Sequence, residues 1–173
     1  MIPLTEGSDN ARKIPQAVFI ENTEAWVDKY GDELISVMNE LYQKYKFMEN
    51  QLSRGKESLR VKTPDIKKTL EMVRMLKEKH IAKETMQTNF LISDNVWAKA
   101  TLPNDTGRVG LWLGANVMVE YSHDEALALL ERNLKNAEIR LKSTEEDLNF
   151  LKDQITTTEV NIARCYNQTV ANG

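Results

Sequence analysis

The chain has 173 residues, of which 41% are hydrophobic, 7% aromatic and 28% charged, with a formal net charge of -3. That is the length of one domain, and few aromatics among many charges describe long solvated helices better than a thick globular core. The acidic balance argues against a nucleic-acid surface, no apolar run approaches the roughly 18 residues that span a bilayer, and a single cysteine leaves no disulfide framework within the chain. Met1 to Asn10 lacks the basic flank and apolar run of a secretory signal, so the expected location is cytoplasmic and reducing, with a nuclear pool left open.

Residues 1–13 are polar, follow neither the helical nor the strand period, and are expected to form a disordered lead-in. Ile14-Pro15-Gln16-Ala17-Val18-Phe19-Ile20 is a short apolar segment that Pro15 keeps out of a helix interior. It either folds back onto the protein or stays exposed to meet something apolar. Asn22 or Thr23 can cap a short helix through Trp26, Val27 and Tyr30, with Gly31 as its left-handed stop, so that 14–31 is an apolar segment plus a short helix. From there Leu34, Met38, Leu41, Tyr45, Met48, Leu52, Gly55, Leu59, Lys62, Ile66, Thr69, Val73, Leu76 and His80 alternate spacings of four and three. This heptad pattern predicts a coiled-coil helix over 32–84. Gly55 and Lys62 are weak seam residues, and Thr63-Pro64-Asp65 reads as a cap and first turn, so Pro64 either kinks one helix or separates two collinear ones.

Strand chemistry is confined to 88–121, in the runs Phe90 to Ile92, Val96 to Leu102, Arg108 to Leu113 and Asn116 to Tyr121. Ser93-Asp94-Asn95, Pro103 to Gly107 and Gly114-Ala115 are the expected turns, which gives two β-hairpins. Four short strands are too small for a domain of their own, so other subunits are expected to complete the sheet. The residues offered for that assembly are Phe90, Ile92, Val96, Trp97, Leu111, Trp112, Leu113, Val117, Met118 and Val119. Ser122-His123-Asp124-Glu125 is a capping box that opens a second coiled-coil helix over 122–166. Its seam is Leu127, Leu130, Leu134, Ala137, Leu141, Thr144, Leu148, Leu151, Ile155, Thr158, Ile162 and Cys165, and 168–173 is a polar tail.

A compact link returns the chain beside itself, so the two helices run antiparallel and their seams meet. The predicted fold is therefore mostly α with small β: one domain over 14–167, a long antiparallel two-helix coiled coil whose helices are linked by two β-hairpins. His80 and His123 lack a neighbouring Cys pair, Cys165 occupies the seam, and the acids Glu145-Glu146-Asp147 read as a solvated face. With no phosphate loop and no nucleophile beside a base, no catalytic residue, cofactor or metal is expected.

Other runs are not dictated by periodicity. The most specific is Leu111-Trp112-Leu113-Gly114-Ala115-Asn116-Val117-Met118. Ile14-Pro15 with Ala17 to Glu21, Tyr42 to Glu49, Asp147 to Gln154, and Thr158 to Arg164 with Tyr166-Asn167 accompany it. In these runs, and in the plan of helix, two hairpins and helix, the chain resembles the α-type subunits of the prefoldin family from Ile14 to Asn167. It departs from that family after Tyr166-Asn167, where Gln168-Thr169 stand in place of the usual Trp-Asp. The resemblance implies a hetero-hexamer with one further α-type and four β-type subunits, whose hairpins join in inter-subunit β-barrels. It also implies capture of unfolded polypeptide, notably actin and tubulin, at the coiled-coil tips, and delivery to the group II cytosolic chaperonin without ATP.

An antiparallel arm places the start of the first helix and the end of the second at one tip. There Ile14, Val18, Phe19, Ile20, Trp26, Val27 and Tyr30 meet Ile162 and Tyr166, which are the candidate client-binding residues. Their alternative role is to close the end of the coiled coil. A plain coiled-coil scaffold or tether, with no client, is the competing functional class.

Overall fold

The computed structural model describes residues 2–102 and 107–171. In chain order the elements are β1 (Thr5–Glu6), β2 (Gln16–Ala17), α1 (Thr23–Tyr30), α2 (Asp32–Ile81), β3 (Met86–Ser93), β4 (Val96–Leu102), β5 (Arg108–Gly114), β6 (Val117–Ser122) and α3 (His123–Ala171). Two helices of 50 and 49 residues dominate, and β1-β2, β3-β4 and β5-β6 are separate antiparallel pairs. The fold is mostly helical with small hairpins, as the heptads and turn residues predict. By its contacts the chain divides into two compact units, Met1–Arg60 with Arg140–Gly173, and Val61–Ile139.

In the unit that holds both termini, the first part of α2 packs on the last part of α3. One cluster joins Leu34, Met38 and Cys165, and a second joins Tyr45, Leu151 and Ile155. As the α2 number rises the α3 number falls, which is the antiparallel arrangement. These are seam residues, and Leu34, Tyr45, Leu151 and Cys165 are fully buried. A helix with a narrow apolar stripe gains most of its stability from such packing rather than from propensity.

The N-terminal residues depart from the expected disordered lead-in. Leu4 is buried and joins the first cluster, β1 pairs with β2 through Thr5↔Ala17 and Glu6↔Gln16, and Val18 N–H donates to the Leu4 carbonyl at 2.9 Å. Ser8 Oγ donates to the Ile14 carbonyl, and Asn10 and Arg12 bond the Asp147 carboxylate. Polarity misleads here because most of what anchors this segment is hydrogen bonding, which leaves no hydrophobic period. Of the two fates open to Ile14–Ile20, the segment folds back. Next, α1 is capped as expected: the Asn22 side chain accepts from Ala25 N–H at 3.1 Å, and Gly31, at φ 54°, donates to the Val27 carbonyl.

In the other unit, Lys67–Glu138, Arg74–Glu131 and Lys77–Asp124 ion pairs again run in opposite senses along α2 and α3. The core is Leu70, Val73, Ala126 and Leu130, with Leu111 of β5 laid against it. Helix α2 continues unbroken through Pro64, although that residue lacks the N–H a helix interior uses. It ends at Ile81, short of the expected 84, in a Schellman closure. Lys83 adopts φ 56°, Lys83 N–H donates to His80 O, and Glu84 N–H donates to Lys79 O.

The strands hold small corrections. Asp94–Asn95 makes the first tight turn, with Asn95 at φ 64°. The last turn is Ala115–Asn116, at φ 48° and 59°, rather than Gly114–Ala115, so β6 begins at Val117. Both central residues at positive φ match the twist of the flanking strands. Of the remaining expected turn, 103–106 lie outside the described residues. The capping box forms: Glu125 accepts from Ser122 N–H at 3.0 Å, and Ser122 Oγ accepts from Glu125 N–H at 3.3 Å. Helix α3 then runs to Ala171, so most of the expected polar tail is helical, with Thr169 Oγ1 bonded to the Cys165 carbonyl.

Leu151→Ala removes a fully buried side chain and is expected to cost about 2–5 kcal/mol. Ile139→Ala, at a position 57% exposed, is expected to stay within about 0.5 kcal/mol. Urea unfolding of the two variants followed by circular dichroism checks the contrast.

Candidate functional site

Asp147, Gln154 and Asn161 recur every seventh residue on one flank of the α3 seam, and all three are buried. Each is occupied by the N-terminal strap. Arg12 and Asn10 pair with Asp147. Ala17 N–H donates to Gln154 Oε1 at 2.9 Å, and Ile20 N–H donates to Asn161 Oδ1 at 3.0 Å. Asn161 Nδ2 donates in turn to the Val18 carbonyl at 2.8 Å. The Arg164 guanidinium donates to the carbonyls of Ile20 and Glu21, and across the groove Tyr45 Oη donates to the Pro15 carbonyl at 2.8 Å. Among the described residues, no buried side-chain nitrogen or oxygen lacks a partner. From Ala17 onward, the polar side chains of the groove bond the main chain of the strap, while Ile14, Ala17 and Ile20 fill the apolar sites between them.

This geometry sorts the client-binding candidates. Ile14 and Ile20 are 5% and 1% exposed, so they hold the strap down and offer no surface. Trp26, Val27, Tyr30 and Ile162 are half-buried on the cluster around Cys165, with the Trp26 and Tyr30 rings 5.5 Å apart. Val18 is half-buried, while Phe19 and Tyr166 are exposed. The Arg164 guanidinium stands 5.0 Å from the Phe19 ring. Beside Pro15 an open depression of about 1000 Å³ is lined by Leu41, Tyr45, exposed Phe47 and Met48. Burial pushes the Tyr45 hydroxyl up to about 12 and raises the Cys165 thiol above its usual value, so both stay protonated and unreactive at neutral pH. Sequence reasoning missed Gln154, Asn161 and Arg164. Their signal is a pair of amides at heptad spacing beside an apolar seam, where solvated charges are the rule. Sequence reasoning also placed Asp147 on a solvated face, whereas Asp147 is buried beneath Arg12 and Asn10.

In the unit Val61–Ile139, β5 and β6 alternate cleanly. Val109, Leu111 and Tyr121 face the helices, and Val119 lies opposite Leu111 and is half-buried. Leu111 is therefore core rather than an assembly contact. The opposite face carries the cross-strand pair Trp112↔Met118, with Leu113 and Val117 exposed at the turn. On β3-β4 the residues of both faces are open, with Phe90, Ile92, Val96 and Trp97 all more than half exposed. An apolar surface of this density on two short hairpins is what a protein–protein contact looks like before its partner arrives.

His80 and His123 come together at the junction of helix and sheet, their rings 5.5 Å apart and edge to face. Among the described residues, no group of three or more His, Cys, Asp or Glu side chains could hold a metal ion, and no helix is long and apolar enough to cross a membrane.

The family profile for prefoldin, described as prefoldin subunit, matches residues 32–168. The chain belongs to the prefoldin family. It is 49% identical over 158 residues to the mouse and human proteins named prefoldin subunit 3, covering 89% of this chain and 80% of each relative. To the Drosophila melanogaster protein of that name it is 42% identical over 171 residues, covering 96% and 86%. A solved structure, filamentous PFD from Methanocaldococcus jannaschii, aligns at a TM-score of 0.52 and 18% identity, covering 68% of this chain and 94% of that one. That likeness shows a fold shared with the solved prefoldin.

His123 gives this prefoldin chain a pH dependence distinct from that of its carboxylates. Burial first, and the facing His80 second, lower its pKa from 6.5. The unfolded chain therefore takes up the proton before the folded one, and the stabilising contribution is complete above about pH 6.5 and lost as the pH falls further. Asp124 and Glu125 are also lowered, by Lys77 and by Ser122, but their window opens at the usual carboxylate values and runs below them, clear of that of His123. Thermal melts at pH 7.5 and 5.5 are expected to show a fall in Tm that His123→Gln reduces.

Proposed function

We propose that this chain is an α-type subunit of a hetero-hexameric prefoldin co-chaperone. In this reading its hairpins pair with those of one further α-type and four β-type subunits in a cytoplasmic assembly. The coiled-coil end that carries both termini contributes to the capture of unfolded polypeptide, actin and tubulin among them, for ATP-free transfer to the group II chaperonin. The observation that carries this reading is the hairpin surface, where Trp97 and Trp112 are 61% and 64% exposed on strands that, among the described residues, pair only within their own hairpin. Strand edges and apolar faces left open in this way are aggregation hazards unless another chain covers them. The family match and the relatives named prefoldin subunit 3 support other prefoldin subunits as the chains that cover it. Capture needs no chemistry, which agrees with the protonated Tyr45 and Cys165.

Trp97→Glu with Trp112→Glu places charges on the open hairpin faces while leaving the helical seams intact. Mixed with β-type subunits, the parent chain is expected to form a hexamer by native mass spectrometry, and the double variant is expected to remain unassembled with unchanged helical circular dichroism. The assembled hexamer is expected to suppress aggregation of actin diluted from denaturant. A hexamer that forms and leaves aggregation untouched points to a scaffold instead.

A further inference from the structure

We propose that the groove on α3 beneath the strap is itself a binding site for extended polypeptide, and that residues 14–20 occupy it as a built-in stand-in for client. The inference deepens the chaperone reading above and rests on it. It starts from which atoms the groove touches. Gln154 accepts from the Ala17 N–H, Asn161 both accepts from the Ile20 N–H and donates to the Val18 carbonyl, and Tyr45 and Arg164 donate to the carbonyls of Pro15 and Ile20. All of these are main-chain atoms, which every polypeptide possesses.

That choice of atoms selects for unfolded chains. In a folded protein nearly all buried backbone groups are already paired, and in a helix they are paired internally. A segment without secondary structure can present free N–H and C=O groups to Gln154 and Asn161. The strap shows the accompanying apolar pattern: Ile14, Ala17 and Ile20, every third residue, point into the clusters around Tyr45 and Cys165. Three residues is the period of an extended polyproline-type chain. The ligand class is thus an extended peptide with apolar side chains at intervals of three and little else specified.

The strap is also built to leave. Its ladder with β1 is two residue pairs long, its remaining hold is three buried apolar side chains and hydrogen bonds to main-chain atoms, both of which another extended chain can replace, and the open depression beside Pro15 gives an incoming chain a place to start. Covalent attachment gives the strap an effective concentration of about the millimolar order. Free peptide therefore competes poorly at one groove, whereas a client held at several arms competes well. Grip becomes cooperative and reversible, and the groove is not left bare between clients.

The test uses the full chain and a fluorescein-labelled peptide with the sequence of residues 12–22. In the full-chain variant Ile14→Asp with Ile20→Asp, whose strap is released, the peptide is expected to bind at least tenfold more tightly than in the parent. Methylating the peptide nitrogens equivalent to Ala17 and Ile20 is expected to abolish binding, whereas exchanging its apolar side chains among Val, Leu and Ile changes affinity less than threefold. Equal affinity for the parent and released chains, or for the methylated and unmethylated peptides, overturns the proposal. A second measurement avoids mutation: hydrogen exchange at the Ala17 and Ile20 amides of the assembled parent is expected to accelerate when denatured actin is bound. Aggregation suppressed while those amides stay protected removes the strap mechanism and leaves the chaperone reading standing. No suppression removes the chaperone reading, while the peptide comparison still reports on the groove.

Discussion

A long helix with a single apolar stripe has no stable existence alone in water, and the need to cover that stripe governs the rest of this chain. Helices α2 and α3 cover one another in each unit, with Tyr45 against Leu151 in one and Val73 against Ala126 in the other. Two helices in contact still leave a furrow, and each unit fills its own by different means. Where the termini lie, an extended strap lies in the furrow. In the unit Val61–Ile139, strand β5 presses Leu111 between the helices.

Those two fillings differ in what they ask of the partner. Leu111 demands shape and apolarity, so its strand belongs to the core. The strap brings a backbone whose polar groups must be bonded once they leave water, and α3 supplies amides and a guanidinium at the matching heights. Asp147 adds a carboxylate that tolerates 1% exposure because Arg12 and Asn10 lie upon it. Removing Arg12 would strand a buried carboxylate, a more severe loss than the pair itself contributes.

The parts of the fold written in local spacing were legible in the sequence. The heptads gave both long helices, Ser122 and Glu125 marked the start of α3, and Asn22 and Gly31 bounded α1. What escaped was set at long range or by rare backbone. On α3 the strap answers to residues 135 to 144 positions away, through groups that a hydrophobicity pattern does not register. The turn slipped by one residue because Ala115 adopts positive φ, a conformation that alanine seldom takes. Among the candidate site residues, apolarity alone did not separate those facing inward, Ile14, Ile20 and Leu111, from those facing outward, Phe19, Tyr166, Trp97 and Trp112. The distinction depends on which face of a strap or strand meets the helices.

Cys165 shares its cluster with Leu4 and Ile20 on the strap and with Leu34 and Met38 on α2, and its thiol is fully enclosed. The chain's sole sulfhydryl therefore sits behind a door that the strap from Leu4 to Ile20 closes against α2. Its rate of modification by an alkylating reagent is a clock for how often that door opens, readable in the unaltered protein without any label.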